Sequence, residues 1–175
     1  AASVTSIAAS PNYATDTTLV VGNNDGDVYI STNDGGKFTR VGADDSLGNG
    51  ATVNVVIDAD FANNSTIYAG SSTNTVGVYR TTGTATTSTW KQIDDDTNTL
   101  AVIGMAQGAD GTLYAASSAA GAGIRRSLDP KTTISTTLGT APTFESLDDT
   151  TATTFKLTAA AVLGNLAVLP GGNTL

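Results

Sequence analysis

One short phrase recurs along this chain: Thr17-Thr18-Leu19-Val20-Val21-Gly22, then Ser65-Thr66-Ile67-Tyr68-Ala69-Gly70, then Gly111-Thr112-Leu113-Tyr114-Ala115-Ala116. Its anchors Leu19, Ile67 and Leu113 lie 48 and 46 residues apart, and a further copy opens at Asn173-Thr174-Leu175 after an insertion. Repetition at roughly 40–50 residues means that one multi-strand unit is built several times and stacked. The flanks repeat in step. Tyr13-Ala14 and Phe61-Ala62 precede the first two anchors. A glycine and an apolar strand follow each anchor, at Gly26 to Ser31, Gly77 to Thr81 and Gly123 to Ser127. Each unit then closes on an aromatic, Phe38, Trp90 or Phe144.

Each unit therefore reads as four short strands. The first strands, Val4 to Ala9, Val53 to Asp58, Val102 to Gln107 and the Leu166 to Leu169 region, are small and almost continuously apolar, as suits strands covered on both faces. Asn23-Asn24-Asp25-Gly26 supplies a hairpin turn, because Asp-Gly adopts positive φ at little cost. No segment predicts a helix, and Thr158 to Leu163, the nearest candidate, reads as loop or strand. The expected fold is all-β. Four-stranded antiparallel blades of a propeller span 1–50, 51–99 and 100–157, and a fourth begins over 158–175. Three blades and part of a fourth do not close a ring. The chain is expected to belong to a longer polypeptide or to be completed by other copies, in a ring of about six to eight blades.

Composition narrows the chemistry. The 175 residues include no Cys and no His, so disulfides, thiolate zinc sites and His-based triads are excluded. The net charge of −8 and a pI near 4.1 argue against nucleic-acid binding, which needs clustered Lys and Arg. No apolar run is long enough to span a membrane as a helix. Abundant Thr, Ser, Asn and Gly with little Lys favours strands and matches the style of extracellular and cell-surface chains.

Ser31-Thr32-Asn33-Asp34-Gly35-Gly36-Lys37-Phe38 fits the pattern Ser/Thr-x-Asp-x-Gly-x-x-aromatic with one extra residue before Asp34. It falls between the third and fourth strands of its unit. On this motif, and on the lead-in Ser10-Pro11-Asn12-Tyr13-Ala14-Thr15-Asp16, the chain resembles Asp-box (BNR) repeat propellers, a bacterial surface-layer-like member in particular. The second unit departs, with Thr81-Thr82-Gly83 leading to Trp90. The third has Ser127-Leu128-Asp129-Pro130 and a long insertion before Phe144. The resemblance implies a structural box: Ser31 and Asp34 tie the turn, Gly35 and Gly36 permit its backbone, and Phe38 packs beneath. It also implies that these turns lie on the face away from any active site.

The family includes sialidases and xyloglucanases, so both chemistries are weighed. The Tyr residues recur at fixed blade positions, Tyr29 with Tyr79 and Tyr68 with Tyr114, and so read as packing. Glu145, the one Glu, stands on an outer strand, and Arg40, Arg80, Arg125 and Arg126 are spread along the chain. Asp58, Asp60 and Asp110 are the carboxylates near strand ends that a two-carboxylate glycosidase needs; turn formation explains them as well. No catalytic residue and no cofactor is assigned.

Acidic clusters follow each fourth strand: Asp44 and Asp45, then Asp94, Asp95 and Asp96, then Asp148 and Asp149. Adjacent carboxylates suit a hard cation, so these seven form a candidate Ca²⁺ set, on the same face as the Asn23–Asp27 hairpin. Asn63 and Asn64 open two overlapping N-glycosylation patterns. The function expected is a non-catalytic structural protein of the cell surface that meets copies of itself or other parts of a longer chain. A glycan- or protein-binding module and part of a glycoside hydrolase are the alternatives.

Overall fold

The computed structural model describes residues 1–73, 77–94, 100–118, 123–135 and 137–147. The start of the fourth unit, with Asp95, Asp96, Asp148 and Asp149, lies outside the described residues. Three four-stranded antiparallel sheets follow one another, each a simple meander. The first holds β1 (Val4–Ala9), β2 (Leu19–Asn23), β3 (Val28–Ser31) and β4 (Thr39–Arg40). The second holds β5 (Val53–Ile57), β6 (Ile67–Ser71), β7 (Val78–Thr81) and β8 (Lys91–Gln92). The third holds β9 (Val102–Gln107), β10 (Leu113–Ser117), β11 (Ile124–Ser127) and β12 (Glu145–Ser146). Pairing repeats from sheet to sheet: Gly22 faces Val28 as Gly70 faces Val78, and Leu19, Ile67 and Leu113 face Ser31, Thr81 and Ser127. The architecture is all-β, in propeller-type blades.

The core lies between blades rather than inside any one of them. Val20, Val28, Ile30, Val41 and Leu47 of the first blade pack on Val53, Val55, Ile57, Phe61 and Ile67 of the second. Tyr68, Val78 and Ile93 of the second pack on Val102, Met105, Leu113 and Ala115 of the third. A four-stranded sheet is two-sided and only one layer thick, so it must bury its apolar faces on neighbours. The aligned aromatics obey this logic: Trp90 packs on the first interface and Phe144 on the second, whereas Phe38 stays 38% exposed. Close approach requires a missing side chain at one aligned position. A Cβ on Gly22 would stand 2.4 Å from the Val53 carbonyl oxygen, and one on Gly70 2.3 Å from Val102 Cγ1.

Polar side chains of the inner strands pin the stacking register. Ser6 Oγ donates to the Val53 carbonyl (2.9 Å), and Asn54 Nδ2 to the Val102 carbonyl (3.3 Å). On the outer side, the Trp90 indole N–H donates to the Val41 carbonyl (2.9 Å) and Gly42 N–H to the Ala85 carbonyl (3.0 Å). Each bond crosses from one blade to the next.

The lead-in to each second strand is also one device. Asp16, Asn64 and Asp110 each accept, on Oδ1, the N–H two residues on, from Thr18 (2.9 Å), Thr66 (2.8 Å) and Thr112 (3.0 Å). The residue between has positive φ: Thr17 at 49°, Ser65 at 50° and Gly111 at 87°. Asx side chains that mimic a backbone turn explain why Asp or Asn recurs there. Among the described residues helix does occur, contrary to the sequence expectation, as two single turns, α1 (Tyr13–Asp16) and α2 (Phe61–Asn64). Four residues are too few to carry a 3.6-residue apolar pattern, so periodicity is blind to them.

Candidate functional site

The blades have two ends, and the polar groups differ between them. At one end lie the turns joining first to second strands and those joining third to fourth. In the first blade Ser31 Oγ accepts from Gly35 N–H (3.0 Å), and Asn33 Oδ1 accepts from Lys37 N–H (2.9 Å). Asn33, with no extra residue, thus fills the position the motif assigns to Asp. Asp34 is displaced to φ 58° and accepts a hydrogen bond from the Tyr13 hydroxyl. Assigning Asp34 to the turn from sequence is therefore corrected: counting back from Gly35 and Phe38 lands on Asn33, whose carboxamide oxygen accepts as a carboxylate does. Gly35 does carry the positive φ, at 79°. Phe38 lies across the turn, with Cε2 3.9 Å from where a Cβ on Gly35 would be, and is half-exposed rather than packed beneath.

The third blade keeps the same turn around an insertion. Asp129 Oδ1 accepts from Thr143 N–H (3.0 Å), the residue before Phe144, just as Asn33 accepts from the residue before Phe38. Ser127 and Thr132 hydroxyls also donate to Asp129. Burial raises the Asp129 pKa, but these donors outweigh it and leave the carboxyl below its ordinary value. Replacing Asp129 with Ala is expected to cost about 1–3 kcal/mol, since several donors lose their acceptor. Asp34→Ala loses one exposed hydrogen bond and a residue type that tolerates positive φ, and is expected to cost less, about 1 kcal/mol. Chemical denaturation of both variants checks the assignment.

Asp58, just past β5 at this same end, is fully buried. Its Oδ1 accepts from Asn64 Nδ2 (2.7 Å), Asp60 N–H (3.0 Å) and Lys131 Nζ (3.4 Å). Its Oδ2 accepts from the Tyr68 hydroxyl (3.0 Å) and Gln107 Nε2 (3.0 Å). Burial favours the neutral acid, but the hydrogen bonds from Asn64, Gln107, Asp60 and Tyr68 win and hold the pKa at about 2. Burial, with the Asp58 charge beside it, pushes the Tyr68 hydroxyl far up, so it stays a donor. Asn64, Asp60 and Tyr68 come from the second blade, Gln107 and Lys131 from the third. Arg80 adds a second tie, donating to the Pro130 and Thr132 carbonyls of the third blade's insertion. The carboxylate thus joins two blades, with both oxygens filled.

The repeat could not reveal this network. Ser10, Asp58 and Gly108 hold the same backbone place, each N–H donating to the carbonyl of Thr18, Thr66 or Thr112. Three different residue types there give no periodic signal. Of the other strand-end carboxylates, Asp60 accepts from Asn63 Nδ2 and Asp110 from Thr112 N–H. The arginines are dispersed: Arg40 pairs with Asp44, Arg80 binds carbonyls, and Arg126 pairs with Glu145.

The other end carries the acidic loops. Asp27, Asp44 and Asp45 bring carboxylate oxygens within 4.8 Å of one another, and among the described residues they are the group suited to a metal ion. The placement of the Asp44–Asp45 loop beside the Asn23–Asp27 hairpin is as expected, with Asp45 N–H donating to Asp27 Oδ1 (3.1 Å). Asp94 differs. It is buried and accepts the Val78 N–H on Oδ1 (3.0 Å), so it braces its own blade and is removed from the candidate cation set. A Cβ on Gly77 would lie 2.0 Å from Asp94 Oδ2. The first blade reverses this pair, with Asp27 where Gly77 stands and Gly42 where Asp94 stands. A cation held by Asp27, Asp44 and Asp45 would raise the melting midpoint in millimolar Ca²⁺; an unchanged midpoint removes that reading.

These features define a propeller module of stacked four-stranded blades. Among solved structures the chain is similar to an ancestral GH74 enzyme, with 26% sequence identity and a TM-score of 0.47, covering 66% of this chain and 16% of that one. No protein-family model matches the chain, and no curated protein matches it.

Proposed function

We propose that this chain is a non-catalytic structural module of the cell surface, built from Asp-box repeats, whose blades meet copies of itself or other parts of a longer chain. The observation that carries the proposal is the state of Asp58. A general acid or base needs an oxygen open to substrate, and both of this carboxylate's oxygens are occupied by five scaffold donors. The box turns support the same reading, since Asn33 and Asp129 spend their acceptors on turn backbone. The Thr-, Ser- and Asn-rich, acidic composition without Cys or His supports the extracellular setting.

Electron microscopy of the purified chain at rising concentration tests the structural role, with filaments or sheets as the expected result. Incubation with xyloglucan and with sialylated oligosaccharide tests the enzymatic alternative, with no release of reducing sugar or sialic acid expected. Release that disappears on replacing a carboxylate would overturn the proposal.

A further inference from the structure

Two N-glycosylation patterns overlap in this chain: Asn63-Asn64-Ser65 and Asn64-Ser65-Thr66. Sequence does not choose between them, but their geometry does. Asn64 is committed at both ends of its carboxamide. Its Nδ2 donates to buried Asp58 (2.7 Å), and its Oδ1 accepts the Thr66 N–H (2.8 Å). A sugar on that nitrogen would have to enter the space between α2 and a fully buried carboxylate, and would take a donor from it. Asn63, one residue earlier in the same turn, is exposed. Its Nδ2 touches only Asp60 Oδ1 at the surface, where water replaces the bond at little cost. Phe61 anchors the turn in the core, so Asn63 projects outward, as does Thr15 at the aligned place in the first blade.

We infer that Asn63 is an N-glycan acceptor of the folded protein and that Asn64 is not. Only the native setting of this inference rests on the cell-surface reading. In the attachment step, Asn63 Nδ2 bonds to the anomeric carbon of a lipid-pyrophosphate-linked oligosaccharide. The bond from that carbon to the pyrophosphate oxygen breaks, the pyrophosphate leaves with the electron pair, and the amide gives one proton to a base. A glycan on exposed Asn63 takes none of the five donors from Asp58, so it adds bulk and solvation without disturbing the fold.

The test is secretion of the whole chain from a glycosylating eukaryotic host. Enzymatic deglycosylation in ¹⁸O water and peptide mass spectrometry then follow on the soluble, folded fraction. The expected result is the isotopic mark on Asn63, none on Asn64, and a melting midpoint unmoved by deglycosylation. Ser65→Ala removes the first pattern and leaves the second intact, because the second depends on Asn64 and Thr66 alone; it is expected to abolish the glycan. Asn63→Gln gives the same loss without touching Ser65. Unmodified wild type, a mark on Asn64 in the folded fraction, or a glycan that persists in either variant overturns the inference. The host supplies the donor, so a negative result counts against Asn63 and not against the proposed surface location, which the assembly experiment tests.

Discussion

Asp58→Ala is expected to destabilise the protein by about 3–5 kcal/mol, the cost of breaking a buried charged network by removing one member. Asn64, Tyr68, Gln107 and Lys131 would each lose their bond to this carboxylate, and the buried Tyr68 hydroxyl would face a cavity. A typical domain holds only about 5–15 kcal/mol in total, so much of the margin goes with one side chain. Asp58→Asn keeps one acceptor oxygen and is expected to fall between the alanine variant and the wild type. Urea denaturation of the three proteins at neutral pH measures the order. Equal stability of wild type and Asp58→Ala would remove the network from the account.

The same residue sets an acid limit. Its folded pKa is about 2 against an ordinary 3.8, so the folded state favours the ionised form. Its contribution, about 2–3 kcal/mol at 1.36 kcal/mol per unit, is fully present above the unfolded value. It fades as pH falls through about 4 and is lost only below about 2, where both states are protonated. Asp16 and Asp129, also held below their ordinary value, act in the same direction. In Asp58→Ala the fall in stability between about pH 5 and 2 is expected to be shallower than in wild type.

Val53→Asp is expected to leave the chain largely unfolded, while Val4→Asp is expected to change stability by less than about 0.5 kcal/mol. The two valines hold the same repeat position, each on a first strand opposite the last residue of the second: Val4 faces Asn23 and Val53 faces Ser71. Their chemistry is identical and their surroundings are not. Val53 is 0% exposed between two blades, and Val4 is 65% exposed. An unpaired carboxylate costs several kcal/mol at a dry interface and almost nothing in water. The contrast recurs further along the strand, where Ile7 is 63% exposed and the interface residues Val55 and Met105 are 7% and 8%. Met105→Ala is accordingly expected to cost about 2–5 kcal/mol, and Ile7→Ala far less. Circular dichroism melts of the two aspartate variants decide the matter. Similar damage from both would mean that stability resides inside single sheets and not between them.

Part of this architecture could be read directly from the chain. The anchors at Leu19, Ile67 and Leu113, the apolar first strands and the aligned closing aromatics are periodic, and periodicity is what repeat stacking imposes on sequence. The Asx turns before each second strand are legible for the same reason. Features that occur once were not. Asn33 stood in for the motif's Asp, and the neighbouring Asp34 drew the assignment because a carboxylate is the expected residue type. Asp58 had no repeat partner in Ser10 or Gly108. Asp94 looked like the first of an exposed acidic run, yet its carboxylate turns inward where Gly77 leaves room.

The amino-acid order by itself determined the strand content, the unit length and the alignment of blade on blade, because backbone pairing and alternating burial act over a few residues at a time. Only tertiary structure decided which carboxylates are spent on the scaffold, which valine is sealed, and which of two adjacent asparagines stays open. Those outcomes depend on groups far apart in the chain arriving at one point, as Asp58 and Gln107 do, and no local pattern records such a meeting.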